Sequence, residues 1–205
     1  MDFDYDMQRE MPEGAKNGYM DEHMGERIDG HVGNNSMKPI IVELPYPKVE
    51  LNCKNMYWAK LLQEDYAGAV SELTAITQYI YGDTVLAEKY KEISNTLICI
   101  AIAEMKHLDM LADTIFMLGG NPKFLVHDCK KPKNWTPDYI NYQMSMCNIL
   151  LTNIQAEKSA IAQYKIHICK IDNEQIRELL TRIIMDEELH IEVLSELYAK
   201  YCCKK

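Results

Sequence analysis

A chain of 205 residues suits one domain with a sizeable core and room for a tail. Its net charge of −9 argues against nucleic acid and against an anionic membrane surface as partners. The longest clean apolar run, Leu97 to Ala103, is far too short to span a bilayer, so no membrane anchor is expected.

The chain opens Asp-Phe-Asp-Tyr-Asp, with neither a basic region nor an apolar segment. No signal peptide is expected, and a cytoplasmic location follows by default. Residues 1–36 hold nine acids and three bases, so −6 of the −9 lies there. Residues 1–45 are read as an acidic, mobile or extended segment, with His23 and His31 as solvated side chains, and residues 46–205 as the folded domain. Within the boundary region, Ile40-Ile41-Val42 and Leu44-Pro45-Tyr46-Pro47 read as extended, because each proline disfavours helix in the residue before it. That segment should lie along the domain or on a neighbouring subunit.

Asn55 is the expected N-cap of a first helix running to about Ile80, with Leu61, Asp65, Gly68, Glu72, Ile76 and Tyr79 facing inward. Gly82-Asp83 reads as a tight turn, with Asp83 capping a second helix that stops at Leu118 before Gly119-Gly120-Asn121-Pro122. A long crossover follows to about Trp135, and His127 within it should be exposed. Thr136-Pro137-Asp138 reads as the start of a third helix. The fourth should begin at Asp172, with Gln175 three residues on, and run to about Ala199. The expected class is all-α, two helical hairpins with a long crossover between helices 2 and 3.

The chemistry lies in a duplication. Glu187 and His190 are three apart, so on a helix their side chains rise from one face, and Glu104 and His107 repeat the spacing. Glu72 to Tyr79 and Glu157 to Tyr164 share Glu, Ala, Ile, Gln and Tyr at the same offsets. The order is Glu, Glu-x-x-His, Glu, Glu-x-x-His, at intervals of 32, 53 and 30 residues. Both Glu-x-x-His pairs interrupt apolar seams: Ile93, Leu97, Ile100, Leu111, Ile115 and Leu118 around one, Ile176, Leu180, Ile183, Leu194 and Leu197 around the other. Buried carboxylates are costly unless compensated. Two divalent cations would balance four carboxylates.

This pattern resembles the ferritin-like di-metal carboxylate superfamily, which includes bacterioferritins, rubrerythrins and manganese catalases. The resemblance covers about residues 55 to 200. It implies a ferritin-like four-helix bundle with Glu72 and Glu157 as outer carboxylates, Glu104 and Glu187 as bridges, and His107 and His190 as one nitrogen ligand per metal. In bacterioferritin-like sites, the residue before the bridging Glu of the opposite Glu-x-x-His helix accepts the free N–H of the histidine. Asp186 is so placed for His107, but the equivalent residue for His190 is Ala103. His190 must then use water, a backbone carbonyl or another carboxylate. Tyr79 and Tyr164, two turns after Glu72 and Glu157, could hydrogen-bond a carboxylate or pack as core phenols.

The function implied is a di-iron oxidoreductase of peroxidase or ferroxidase type, acting on hydrogen peroxide or dioxygen with a separate electron donor. The ligand set suits iron or manganese better than copper or zinc. Two Fe ions are the expected cofactors, and two Mn ions, as in a dimanganese catalase, the alternative. A structural protein of spore-coat or shell type with a vestigial site is a third reading. The seven cysteines include no Cys-x-x-Cys, which excludes a rubredoxin-type iron site. Cys99 reads as a small core residue, and Cys202-Cys203 as an incidental thiol pair. With no fifth helix after Ala199, a homodimer is expected rather than a closed shell.

Overall fold

The computed structural model describes residues 37–127 and 131–203. The expectations for residues 1–36, His23 and His31 among them, lie outside the described residues. Among the described residues there are five α-helices: α1 Met56–Ala67, α2 Glu72–Leu86, α3 Lys91–Met117, α4 Met146–Lys170 and α5 Glu174–Cys202. α2 packs on α3 and α4 on α5, so the two hairpins form as expected. Among the described residues, no helix is long and apolar enough to cross a membrane.

Asn55 does cap α1, its side chain accepting from the Tyr57 and Trp58 N–H groups. The helix does not continue to Ile80, however. It breaks after Ala67, where Gly68 turns to extended backbone and donates its N–H to Glu64 O. A Cβ at position 68 would lie 2.5 Å from that same carbonyl oxygen, so this close approach admits only glycine. Ser71 then caps α2, its hydroxyl donating to Gly68 O at 2.8 Å and accepting from Thr74 N–H. Glu72 is therefore the first residue of a helix rather than a mid-helix position.

Gly82-Asp83 is also not a turn. Both residues lie inside α2, and the chain reverses over residues 87–90 instead. A Cβ on Gly82 would meet Leu97 at 3.0 Å and Ile149 at 3.2 Å, so its role is close helix contact. Asp83 accepts a hydrogen bond from the Ser94 hydroxyl, across the hairpin.

α3 ends as expected, at Gly119 with φ +86°. The crossover is longer than expected and runs to Ser145. It contains a two-stranded antiparallel ribbon, β1 Leu125–His127 with β2 Pro132–Asn134, and His127 is exposed. Thr136 caps only a 3₁₀ turn at Pro137–Tyr139, and the third bundle column begins at Met146. Gln78 explains why: its side chain accepts from Asn141 N–H at 2.7 Å and donates to Asn141 O at 2.9 Å, holding that backbone extended. Trp135 adds a 3.0 Å bond from its indole N–H to Thr74. α5 is capped by Asn173, not Asp172, and extends past Ala199 to Cys202.

Cys202 is not a free thiol. It is bonded to Cys147, which ties the end of α5 to the start of α4 across a sequence separation of 55. Closing a loop of that length removes about 4 kcal/mol of unfolded-state entropy. Cys203 is free and exposed, and Cys99 is partly buried.

The core falls into two hydrophobic clusters. One contains Leu111, Ile115 and Leu118 of the α3 seam with Ile176, Leu180 and Ile183 of α5. The other contains Ile93, Leu97 and Ile100 with Leu194 and Leu197. Glu104, His107, Glu187 and His190 lie between them in both seams. A polar band thus crosses the bundle between two apolar plugs.

Candidate metal centre

The six expected side chains are brought together, and all are buried, with none more than 3% exposed. Glu72, Glu104, His107 and Glu187 form one group whose ligand atoms all lie within 4.8 Å of one another. Glu104, Glu157, Glu187 and His190 form a second, within the same limit. Glu104 and Glu187 are common to both. The two imidazole centroids are 6.3 Å apart.

Each histidine turns Nδ1 toward the carboxylates. His107 Nδ1 lies 2.9 Å from Glu104, 3.3 Å from Glu187 and 3.5 Å from Glu72. His190 Nδ1 lies 3.0 Å from Glu187, 3.2 Å from Glu104 and 3.7 Å from Glu157. The outer nitrogens divide as the duplication requires. His107 Nε2 is 3.1 Å from Asp186 Oδ2. His190 Nε2, with Ala103 opposite, is 2.8 Å from the backbone oxygen of Ile40. Both outer partners accept only, so each Nε2 carries a proton, and each Nδ1 faces the carboxylates, where it can hold a second proton or give its lone pair to a metal ion.

The tyrosines cross between halves. Tyr79 of α2 donates to Glu157 of α4, and Tyr164 of α4 donates to Glu72 of α2. Burial, then the neighbouring carboxylates, pushes both phenols well above their ordinary range, so they remain donors.

The electrostatics ask for cations. Burial and then repulsion from Glu104 and Glu187 raise Glu72 and Glu157 well above the usual carboxylate range. Burial acts the same way on Glu104, but the two histidines override it and hold that carboxyl below its usual range. Burial would lower both histidines, yet Asp186 and the glutamates raise His107, and Glu104 and Glu187 raise His190, well above the ordinary imidazole value. Two buried oxygens, Glu72 Oε2 and Glu104 Oε1, accept no hydrogen bond. Buried carboxyl oxygens left without a hydrogen bond are expensive, and a positive ion between the two groups would satisfy them. The donor set of four carboxylates and two imidazoles suits hard to borderline divalent metals.

Four further residues lie at or beside the centre without having been singled out from the sequence. Tyr46 donates its hydroxyl to Asp186 Oδ2 at 2.6 Å. Val42 donates its N–H to Asp186 Oδ1 at 2.7 Å. Arg182 Nη1 lies 2.7 Å from the same oxygen, and the guanidinium also donates to the carbonyls of Val42 and Leu44. Asn153, one turn before Glu157, is buried with neither amide atom hydrogen-bonded. Arg182 and Asn153 left a trace, standing four residues before Asp186 and Glu157 on one helix face.

The family model for manganese containing catalase matches residues 42–132, which include Tyr46, Glu72, Glu104 and His107. Two manganese catalases are similar over most of the chain. A probable manganese catalase of Clostridium acetobutylicum is 25% identical, with 75% of each sequence aligned. The crystal structure of KatB, a manganese catalase from Anabaena, has a TM-score of 0.69 and 25% identity, covering 78% of each chain. The bacterioferritin of Desulfovibrio desulfuricans, which has a diiron site, shares the fold at a TM-score of 0.58 and 24% identity, covering 70% of this chain and 79% of its own. The chain thus has a ferritin-like fold and is similar to di-metal proteins built on it. This ferritin-like domain sets its polar band in the bundle interior.

Proposed function

We propose that the ferritin-like domain binds two metal ions through Glu72, Glu104, His107, Glu157, Glu187 and His190 and disproportionates hydrogen peroxide to water and dioxygen. The observation that carries this is the pair of four-ligand groups sharing Glu104 and Glu187. Such an arrangement holds two ions close enough to act on one small substrate. Manganese catalases, similar to this chain over three quarters of its length, favour manganese as the metal.

Two redox-active ions would supply the alternating storage of two electrons that peroxide disproportionation requires. The chain supplies the rest. With the ions bound, Nδ1 of each histidine would be a neutral donor to them, oriented by an acceptor at Nε2. Tyr79 and Tyr164 fix the outer carboxylates by hydrogen bonds from the opposite half. The apolar plugs on either side keep bulk water from the band.

A second reading is a di-iron ferroxidase or peroxidase, favoured by the completeness of the six-residue set in both halves and by the bacterioferritin fold. The two separate in one experiment. Metal-free protein is loaded with manganese or with ferrous iron and given hydrogen peroxide while dissolved oxygen is recorded. Oxygen evolution by the manganese form at many turnovers per chain is the expected result. Peroxide loss without oxygen, seen with iron alone, would select the second reading. A chain that takes up neither metal would leave only a structural role.

A further inference from the structure

We propose that Tyr46 is a positioning residue for the metal centre, holding His107 in register through Asp186. The inference rests on the reading that the six side chains hold two ions.

Tyr46 lies on an extended strap, residues 37–52, more than twenty residues before the first candidate ligand. Prolines on both sides restrict its backbone. Its hydroxyl donates to Asp186 Oδ2, the oxygen that also accepts from His107 Nε2, and lies 3.4 Å from that nitrogen. Burial first, with smaller contributions from Asp186, pushes the Tyr46 phenol up to about 12. Asp186 is saturated: Val42 N–H and Arg182 on one oxygen, Tyr46 and His107 on the other. Burial opposes ionisation of Asp186, yet these four partners hold its carboxyl at about 2. Arg182 closes the arrangement, its guanidinium 4.4 Å from the Tyr46 ring centroid and bonded to two strap carbonyls.

An aspartate free to rotate would still be an acceptor, but it would not define one orientation for the imidazole. Three donors besides the imidazole do so, and Tyr46 is the one that shares its oxygen with His107 and lies 3.4 Å from His107 Nε2. His190 lacks any such relay and rests on a neutral carbonyl of the same strap. A carboxylate makes its imidazole a stronger donor than a carbonyl does. The two halves of the centre are thereby unequal, and the inequality passes through Tyr46.

Tyr46→Phe keeps the ring on Arg182 and removes only the hydroxyl. The full chain, stripped of metal, is titrated anaerobically with cobalt(II), followed by visible absorption. Wild type should fill in two resolved steps. Tyr46→Phe should weaken one step about tenfold, the usual range for an outer hydrogen bond being about 10- to 100-fold. It should be the same step that Asp186→Asn weakens, and the metal-free melting temperature should stay at the wild-type value. Adding Tyr46→Phe to Asp186→Asn should change little further, since the two act along one path. The inference is overturned if Tyr46→Phe leaves both steps unchanged, weakens both alike with a lower metal-free melting temperature, or adds its full effect in the Asp186→Asn background. A wild-type chain that takes up no cobalt overturns the metal reading itself, and this inference with it.

Discussion

Glu104 and Glu187 each belong to both four-ligand groups, whereas Glu72 and Glu157 belong to one apiece. Glu104→Gln should therefore cost both ions, and Glu72→Gln only one. Elemental analysis of protein loaded with manganese and desalted would give fewer than one ion per chain for the first and about one for the second. Equal losses would mean that the shared position of Glu104 has no bearing on binding. At this scale the sequence was most informative. A Glu three residues before a His, repeated in two apolar seams, identifies side chains forced inward, because the flanking Ile and Leu residues fix which face is buried. Asp186 was legible for the same reason. Tyr46 and Val42 were not. They reach Asp186 across 140 and 144 residues, from a strap with no helical or strand period to mark an inward face.

The first bundle column is where local chemistry beat periodicity. The inward positions Leu61, Asp65, Glu72, Ile76 and Tyr79 keep step through the break, so spacing alone suggests one helix. Gly68 and the Ser71 hydroxyl divide it, and Glu72 gains the positive end of a new helix that Glu157, mid-helix in α4, lacks. Ser71→Ala should cost about 1 kcal/mol of stability through the lost cap, read from urea unfolding with an unchanged slope. A loss near zero would mean that Gly68 alone sets the break. Beside the break, His167 Nδ1 lies 2.7 Å from Asp65 and its Nε2 3.4 Å from Glu64. Burial would lower His167, but Asp65 and Glu64 raise it above the ordinary imidazole value. Burial likewise raises Asp65, against the pull of His167 and Gln163. Both shifts mean that the folded state holds its protons more tightly than the unfolded chain, so both contributions fall as pH rises. The histidine part is complete below the unfolded value of about 6.5 and is lost as pH climbs through the raised folded value. His167→Gln should flatten stability above that point and cost about 1–3 kcal/mol below it, from a buried acid left short of a partner. Unfolding free energies measured from pH 6 to 9 for both proteins would decide, and parallel curves would sink the assignment. The turn at residues 87–90 and the late start of α4 escaped the sequence for a related reason. Gly82 serves helix contact, and the Gln78 clamp on Asn141 is a tertiary bond that no local signal announces.

Across the whole molecule, the band between the plugs stores its missing positive charge as protons. His107, His190, Glu72 and Glu157 all favour the protonated form when no metal balances the cluster. Loading should therefore acidify a weakly buffered solution at neutral pH and raise the melting temperature. A pH indicator and a thermal scan give both readouts, and loading without proton release would contradict the protonation pattern. The fold class and the hairpin pairing were legible because two Glu-x-x-His helices and two Glu helices at matched intervals leave few ways to bring six side chains together. The ribbon and the Cys147–Cys202 bond were not, since neither serves that convergence. The crossed tyrosines carry a separate implication. Each hairpin supplies the hydroxyl that steadies the other's carboxylate: residue i meets j, and the counterpart of j meets the counterpart of i, as across a twofold axis between identical subunits. This reciprocity gives one polypeptide the contact pattern of a dimer of identical hairpins. Seen so, the crossover joins two pseudo-equivalent halves, and Ala103, the split first column and the one-sided strap are the places where a single chain departs from that equivalence.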